Sequence, residues 1–306
     1  MDLVSDAISA VRVGRPSSTR LRVGGSWCAR LDPYEGAGFH VVLEGSCWML
    51  TEGGDAVSLN TGDTVLLPHG SGHVIADRPA DRATIERAVD FTSWSQMAAT
   101  NSRVDSGHTG GTELLCGKYR LDRRHTHPLM ADLPDVVHIP DRVGHHDELR
   151  SAIGLLGREV TASHPGAAVA LPSLLDLLLV YLVRAWMADS TTSRWPAALH
   201  DPVVAAALHA LHEDPAAPWS NERLAGRVGV SRATLARRFT ALAGRAPMAY
   251  LTWWRLTRAA ALLRTTPDAL DAIAQRVGYS TPYALSHAFR RQYGTTPGRY
   301  RTGVTA

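Results

Sequence analysis

Residues Leu224-Ala225-Gly226-Arg227-Val228-Gly229-Val230-Ser231, then Leu235-Ala236-Arg237-Arg238-Phe239, return about fifty positions later as Ile273-Ala274-Gln275-Arg276-Val277-Gly278-Tyr279-Ser280 and Leu285-Ser286-His287-Ala288-Phe289. Each copy reads as a short helix, a glycine turn and a second helix. The apolar positions recur at helical spacing, and glycine permits a left-handed backbone that a side chain resists. The offset is 49 up to the serines and 50 after them. This places one extra residue at the start of the second copy's second helix, where Thr281-Pro282-Tyr283-Ala284 stand against Arg232-Ala233-Thr234. Between the copies, Pro247 to Arg264 has the pattern of one long connecting helix.

Charge separates this region from the rest of the 306 residues. Residues 201–306 carry 14 arginines against 6 acidic residues, a net +8, while residues 1–200 carry −5. A basic segment with an exposed cationic helix suits the phosphates and base edges of a duplex, where arginine pairs with guanine or clamps phosphate. Three scattered cysteines, Cys28, Cys47 and Cys116, make no disulfide framework and point to a reducing, cytoplasmic setting. Met1 to Gly14 has no continuous apolar run, so no signal peptide is expected. The longest apolar stretch, Ala167 to Met187, is broken by Pro172, Asp176 and Arg184, which predicts a buried or dimerising helix rather than a membrane span.

Residues 1–20 lack periodicity and read as an arm or edge element. From Trp27 to Val89 short β-rich runs (Phe39–Leu50, Val57–Leu59, Thr64–Leu67, His73–Ala76), with turns at Gly53-Gly54 and Gly62-Asp63, predict a small sandwich or barrel. Leu114 to Asp122 reads as a further strand with Cys116 at its centre. The run Gly62 to His73 (Gly, five residues, Pro68, one, Gly70, two, His73) resembles the second motif of the cupin barrels, and His40 to Gly45 resembles the end of the first. The family's His-x-His pair and following Glu would fall near Asp32 to Gly38, where no histidine stands. Strand alternation still puts His40 on the inward face, able to meet His73. Two histidines with a thiolate from Cys47 or Cys116 have the donor types of a zinc site; satisfied core histidines are the commoner outcome. Cys47 and Cys116 would sense oxidants or electrophiles if a neighbouring histidine lowered a thiol pKa; a buried structural thiol is the simpler expectation. His125-Thr126-His127 and His145-His146 read as solvated loop.

Past Pro140 the period becomes helical. A helix is expected from Asp147, and a second from Leu171 to Met187 with Pro172 in its first turn. The stripe Leu174, Leu175, Leu178, Leu179, Leu182, Val183 must be covered, and a second copy of the chain is the preferred cover. Ala188 to Leu199 reads as a polar, broken linker, and Asp201-Pro202 as the cap and first turn of the next helix. The expected organisation is α+β multidomain: a cupin-like β-barrel over 1–140, a helical dimerisation and linker region over 141–199, and an all-α domain with two helix-turn-helix units over 200–306.

The C-terminal hundred residues resemble the DNA-binding domain of the AraC-type transcription regulators. The match rests on Leu224-Ala225, Gly229, Ser231, Leu235, Phe239, Gly244, Pro247, Tyr250-Leu251, Arg255, Ala259, Leu262-Leu263, Ile273-Ala274, Gly278-Tyr279, Phe289, Gly294, Thr296-Pro297 and Tyr300-Arg301. The resemblance implies that Arg232, Ala233, Ala236 and Arg237 read bases in the first unit and Tyr283, Ser286 and His287 in the second. Arg232, Thr234, Arg237 and Arg238 are expected to point outward, and Arg290 and Arg291 to anchor phosphate. It also implies a homodimeric, non-enzymatic regulator of promoter DNA, meeting RNA polymerase if an activator. Its cupin-like domain would sense a small molecule, metal or oxidant through residues such as His40, Cys47, His73 and Cys116, and signal through helices 147–187. The competing readings are a metal-dependent cupin enzyme with an attached DNA-binding domain, and an architectural DNA binder without sequence preference.

Overall fold

The structure, a computed structural model, describes residues 3–12, 14–51, 56–101, 111–121, 127–161, 164–190 and 193–303; the expected turn at Gly53-Gly54, Asp122 and His125 lie outside them. Contacts group the chain into two units. One is residues 13–123 with 133–189. The other is 190–306 together with 1–12 and 124–132, so the grouping differs from a simple division at 140 and 199.

The first unit is a β-sandwich. Its strands are β1 (Ser17–Val23), β2 (Cys28–Leu31), β3 (Ala37–Glu44), β4 (Ser46–Thr51), β5 (Val57–Asn60), β6 (Thr64–Leu67), β7 (His73–Ala76), β8 (Val89–Asp90), β9 (Thr112–Tyr119) and β10 (Val137–Ile139). They form two five-stranded sheets, ordered β1-β9-β3-β6-β10 and β5-β4-β7-β2-β8. The expected single run Phe39–Leu50 is two strands, because Gly45 at φ 76° reverses the chain there. Leu21, Val42, Met49, Leu59, Val65, Ile75 and Leu114 from the two sheets share one core. Strand alternation sends Phe39, Val41, Leu66 and Leu115 to the opposite face, where they are equally buried.

Helices close the sandwich. Numbered from α1 (Leu3–Val11), which belongs to the other unit, they are α2 (Arg82–Glu86), α3 (Phe91–Asn101), the short α4 (Pro128–Ala131) of the other unit, α5 (Asp147–Thr161) and α6 (Ala167–Asp189). Trp94 of α3 packs on Trp27, ring centroids 5.0 Å apart. α6 is the described helix long and apolar enough to cross a membrane, but it lies on the sandwich, with Leu175, Leu178, Leu179, Leu182 and Val183 buried and the Leu175 carbonyl accepting from the Tyr119 hydroxyl at 2.7 Å. α6 begins four residues earlier than expected, so Pro172 lies inside the helix and not in its first turn.

The second unit contains α7 (Arg194–His200), α8 (Pro202–Glu213), α9 (Asn221–Arg227), α10 (Arg232–Ala243), α11 (Pro247–Thr265), α12 (Leu270–Arg276), α13 (Pro282–Tyr293) and α14 (Pro297–Arg301). The stretch expected to be a broken linker contains α7, because Trp195 and Ala198 find apolar cover and are 2% and 0% exposed. α9–α10 and α12–α13 are the two helix-turn-helix units. Their turns place Gly229 at φ 71° and Gly278 at φ 84°, and a Cβ on Gly278 would fall 2.7 Å from Ala216 Cα. α11, 19 residues and hence about 28 Å long, is the rigid connector. Phe239 and Phe289 are the matching core anchors of the two units, both fully buried, each contributing about 2–3 kcal/mol by its burial.

Two further pieces complete this unit. α1 packs Val4, Ala7 and Ile8, one helical stripe, against α4, α8 and α11. Asp6 Oδ2 accepts from His212 Nδ1 at 2.9 Å, His212 Nε2 meets the Tyr250 hydroxyl at 2.8 Å, and the imidazole stacks on Trp254 at 4.0 Å. His127, expected in solvated loop, is instead fully buried: its Nδ1 caps α4 by accepting from the Leu129 N–H at 3.0 Å, and its ring stands edge-on to Trp253 and Trp254.

Candidate nucleic-acid interface and barrel cavity

The first recognition helix, α10, is started by Ser231, whose hydroxyl accepts from the Thr234 N–H, a cap worth about 1 kcal/mol. Leu235 and Phe239 turn inward, which leaves Arg232, Ala233 and Arg237 exposed and Thr234, Ala236 and Arg238 half-buried. The arginines are not equivalent. Arg238 grips Asp201 at the N-terminus of α8, its Nε 3.0 Å from Oδ2, and so supports the helix rather than pointing outward. Arg232 pairs on the surface with Glu222 of α9. Arg237 is exposed, and among the described residues no acid pairs with it.

In the second unit the cap is Thr281, accepting from the Ala284 N–H at 3.1 Å, and not Ser280. Ser231 therefore corresponds to Thr281, and the extra residue sits in the turn after Gly278, correcting its expected place at the start of the helix. Both recognition helices have 12 residues. With an offset of 50, Ala233, Ala236 and Arg237 coincide with Tyr283, Ser286 and His287. Tyr283 is 80% exposed, His287, Arg290 and Arg291 are exposed, and Ser286 is half-buried. The two helices thus display one geometry with different chemistry: small residues and an arginine in the first, an aromatic ring and an imidazole in the second.

In the sandwich, His40 on β3, His73 on β7 and Cys116 on β9 meet. His40 Nε2 lies 2.7 Å from His73 Nε2, His40 Nδ1 lies 3.0 Å from Cys116 Sγ, and His73 Nδ1 lies 2.9 Å from the Ser71 carbonyl. One set of protons satisfies the chain: Cys116 donates to His40, His40 to His73, and His73 to Ser71. Burial holds both imidazoles below their ordinary pKa, and holds the Cys116 thiol above its own. The donors do not fit a metal. His40 spends its two nitrogens on different partners, so the three donor atoms share no common point, and Cys47 lies in the apolar core with its thiol pushed up to about 12. Among the described residues no group of three His, Cys, Asp or Glu side chains can hold an ion. The lowered thiol pKa that oxidant sensing would need is absent too, since burial raises all three cysteines.

The cluster opens on a cavity of about 390 Å³. Ser17, Ser18 and Thr19 of β1 and Cys116, Gly117 and Lys118 of β9 form one wall, with Phe91, Thr92 and Ser95 of α3 among the other lining residues. Hydroxyls, the Lys118 ammonium and the Asp32 and Asp90 carboxylates line it beside a neutral imidazole pair, a polar lining that suits a small polar molecule.

The neutral histidines set a pH dependence. A histidine whose folded pKa lies below 6.5 adds no penalty above that pH, and stability is lost as the pH falls through 6.5, where only the unfolded chain takes up the proton. His40, His73 and His127 all have this sign. The urea midpoint should therefore fall between pH 7.5 and 5.5. Equal midpoints would rule out neutral buried imidazoles.

A cupin sandwich joined to two helix-turn-helix units with displayed cationic helices defines a DNA-binding transcription regulator. The cupin family model matches residues 2–188 and a helix-turn-helix domain model residues 224–303. An AraC-like transcription regulator of Streptomyces lividans is 33% identical over all of this chain and 99% of its own length, and one of Streptomyces antibioticus is 32% identical over 98% of each. The DNA-binding domain of AdpA, solved in complex with a target DNA, is 38% identical, covering 34% of this chain and 92% of that one with a TM-score of 0.32. The chain belongs to the AraC-like transcription regulators.

Missing from the sequence-based assignment were Asp6, His127 and His212, which tie the second unit together. The Val4-Ala7-Ile8 spacing was the available signal for α1.

Proposed function

We propose that this regulator reads promoter DNA with α10 and α13 from one chain, and that the sandwich cavity takes a small polar effector. The observation that supports the reading best is the matched pair of capped, 12-residue recognition helices, displaying Arg237 and His287 at equivalent positions. Arg237, Tyr283, Ser286 and His287 are the base-reading candidates, with Ala233 and Ala236 offering apolar contact to thymine methyls and Arg290 and Arg291 clamping phosphate. Arg232 joins them when DNA displaces Glu222. The test is a mobility-shift titration at fixed salt, comparing a duplex obtained by selection with a random duplex of equal length. A thousandfold preference or more is expected for sequence-specific binding; equal affinities would support an architectural binder instead.

The functional form is a cytoplasmic homodimer, and contact with RNA polymerase follows if it activates. Leu155 of α5 and Val169 and Leu177 of α6 stay 45%, 75% and 38% exposed on neighbouring helices, an apolar face that a second copy would cover. Leu177→Glu should leave the fold intact and shift sedimentation from dimer to monomer. An unchanged sedimentation coefficient would place the interface elsewhere. The chemistry does not favour an enzyme, because the histidine–thiol cluster holds no converging ligand set.

A further inference from the structure

We propose that Arg255, near the middle of α11, is a positioning residue that sets the spacing and rotation at which the two recognition helices meet DNA. It does so by clamping the loop before the first helix-turn-helix unit to the turn of the second. This rests on the reading of α10 and α13 as DNA-contacting helices, and concerns what holds them in register. The two ends of α11 serve separate cores. Tyr250 packs on Phe239 of the first unit, whereas Leu256, Ala259, Ala260 and Leu263 share a core with Ile273, Leu285 and Phe289 of the second. A connecting helix fixes the distance between two bodies packed on it; a contact made directly across it fixes their rotation. Arg255 stands at that crossing.

The duplication supplies an internal comparison. Gly229 and Gly278 occupy the same turn in the two units, and both are left-handed, at φ 71° and 84°. A Cβ on Gly229 would meet open space, with no heavy atom beyond its chain neighbours within 4 Å. One on Gly278 would meet Ala216 Cα at 2.7 Å and Arg255 Cζ and Nη2 at 2.9 Å. The second turn is thus pressed against the loop that leads into the first unit, with the guanidinium at the seam. α8, which precedes the first unit as α11 precedes the second, contains no arginine. The contact therefore belongs to the junction between the copies and is not a property of the repeated unit.

Arg255 is tied to the loop by two bonds. Its Nε donates to the Pro215 carbonyl at 2.7 Å and its Nη2 to the Ala217 carbonyl at 2.9 Å. A planar fork that holds two main-chain acceptors fixes direction as well as distance, which a lysine in its place does not. The loop is itself stiff. The Asp214 carboxylate accepts from the Ala216 and Ala217 N–H groups at 3.1 and 3.0 Å, the Trp219 indole donates to the Asp214 carbonyl at 2.8 Å, and Pro215 fixes one φ. Any shift of the loop therefore carries with it Ser220 and the N-terminus of α9 that Ser220 caps. On the other side of the seam, the Gly278 and Tyr279 N–H groups donate back to Gln275 and Ala274, which binds the turn to α12. Burial pulls the Arg255 pKa down, opposed by Tyr279 and Asp214, so the cation is held partly out of water between the two units.

The test measures binding of the full chain to a selected duplex and to versions with one base pair inserted or removed between the two patches that one protomer protects. Each change alters the relative placement of the patches by about 34° and 3.4 Å. The wild-type chain should lose about tenfold or more on either change, because a rigid pair gains from its second contact only at the matched spacing. Arg255→Met should bind the parent duplex about three- to tenfold more weakly and discriminate among the spacings by about threefold or less. Arg255→Lys, which keeps the charge without the fork, should fall between. Gly278→Ala should relax the spacing in the same way, whereas Gly229→Ala, with the same backbone strain in open space, should keep the wild-type ratio. That pair decides the matter if Arg255→Met does not fold. Without DNA, Arg255→Met should raise hydrogen exchange over 214–219 and 277–281 by about threefold or more. An affinity loss equal at all three spacings would make Arg255 merely structural and overturn the proposal. Unaltered exchange, or Gly278→Ala and Gly229→Ala shifting the ratio alike, would also overturn it. A wild-type chain indifferent to spacing would instead defeat the reading of two DNA-contacting helices, and the exchange arm would still decide the clamp.

Discussion

Replacing Arg237 with alanine is expected to weaken binding of a selected duplex ten- to a hundredfold and to relax base preference at one position, because one bidentate arginine–base contact is worth about 1–3 kcal/mol. The choice of Arg237 follows from its neighbours. Arg238 is committed to Asp201 and Arg232 to Glu222, so Arg237 is the guanidinium of α10 expected to meet a base edge without first breaking an ion pair. Arg291→Ala should behave differently, reducing affinity alike for selected and random duplexes and lowering the slope of log K against log salt by about one. Titrations at two salt concentrations separate the cases. If Arg237→Ala produced the uniform, salt-dependent loss and Arg291→Ala the loss of preference, the assignment of readers and anchors would be reversed.

Replacing His212 with alanine is expected to destabilise the DNA-binding unit by about 3 kcal/mol or more. The ring is 1% exposed, stacked on Trp254 and bonded at both nitrogens. Its loss opens a cavity and strands the Tyr250 hydroxyl in the core and the Asp6 carboxylate at its edge. A melting-temperature drop of roughly 10 °C follows for a unit of this size. His209, three residues earlier on the same helix, is 54% exposed, and His209→Ala should cost under about 0.5 kcal/mol. Similar losses for the two variants would show that α1 is not fastened through His212.

Much of this arrangement was legible in the chain because it is encoded locally. The duplicated apolar spacing, the left-handed glycine at 229, the cap at Asp201, and the approach of His40 to His73 each depend on a few neighbouring residues and one periodicity. What was not legible depends on partners distant in the chain. Ser280 and Thr281 are both able to cap a helix, so residue type alone does not select Thr281, which caps α13. Arg238 looks like any other outward arginine until Asp201 is seen beside it. His127 looks solvated because nothing near it in sequence shows that Trp195, Trp253 and Trp254 will enclose it. Whether His40, His73 and Cys116 form a metal site or a hydrogen-bonded cluster was open in the chain for a related reason: the donor types allow either, and only the geometry gives His40 one partner on each side.

The claim at the centre is that one chain places two recognition helices in successive major grooves. Hydroxyl-radical footprinting of Leu177→Glu, expected to be monomeric, on a selected duplex tests it most directly. Two protected patches about 10 base pairs apart are expected on one face of the helix, with Arg237→Ala weakening one and Tyr283→Ala the other. A single patch, lost as a whole with Arg237→Ala and indifferent to Tyr283→Ala, would contradict it.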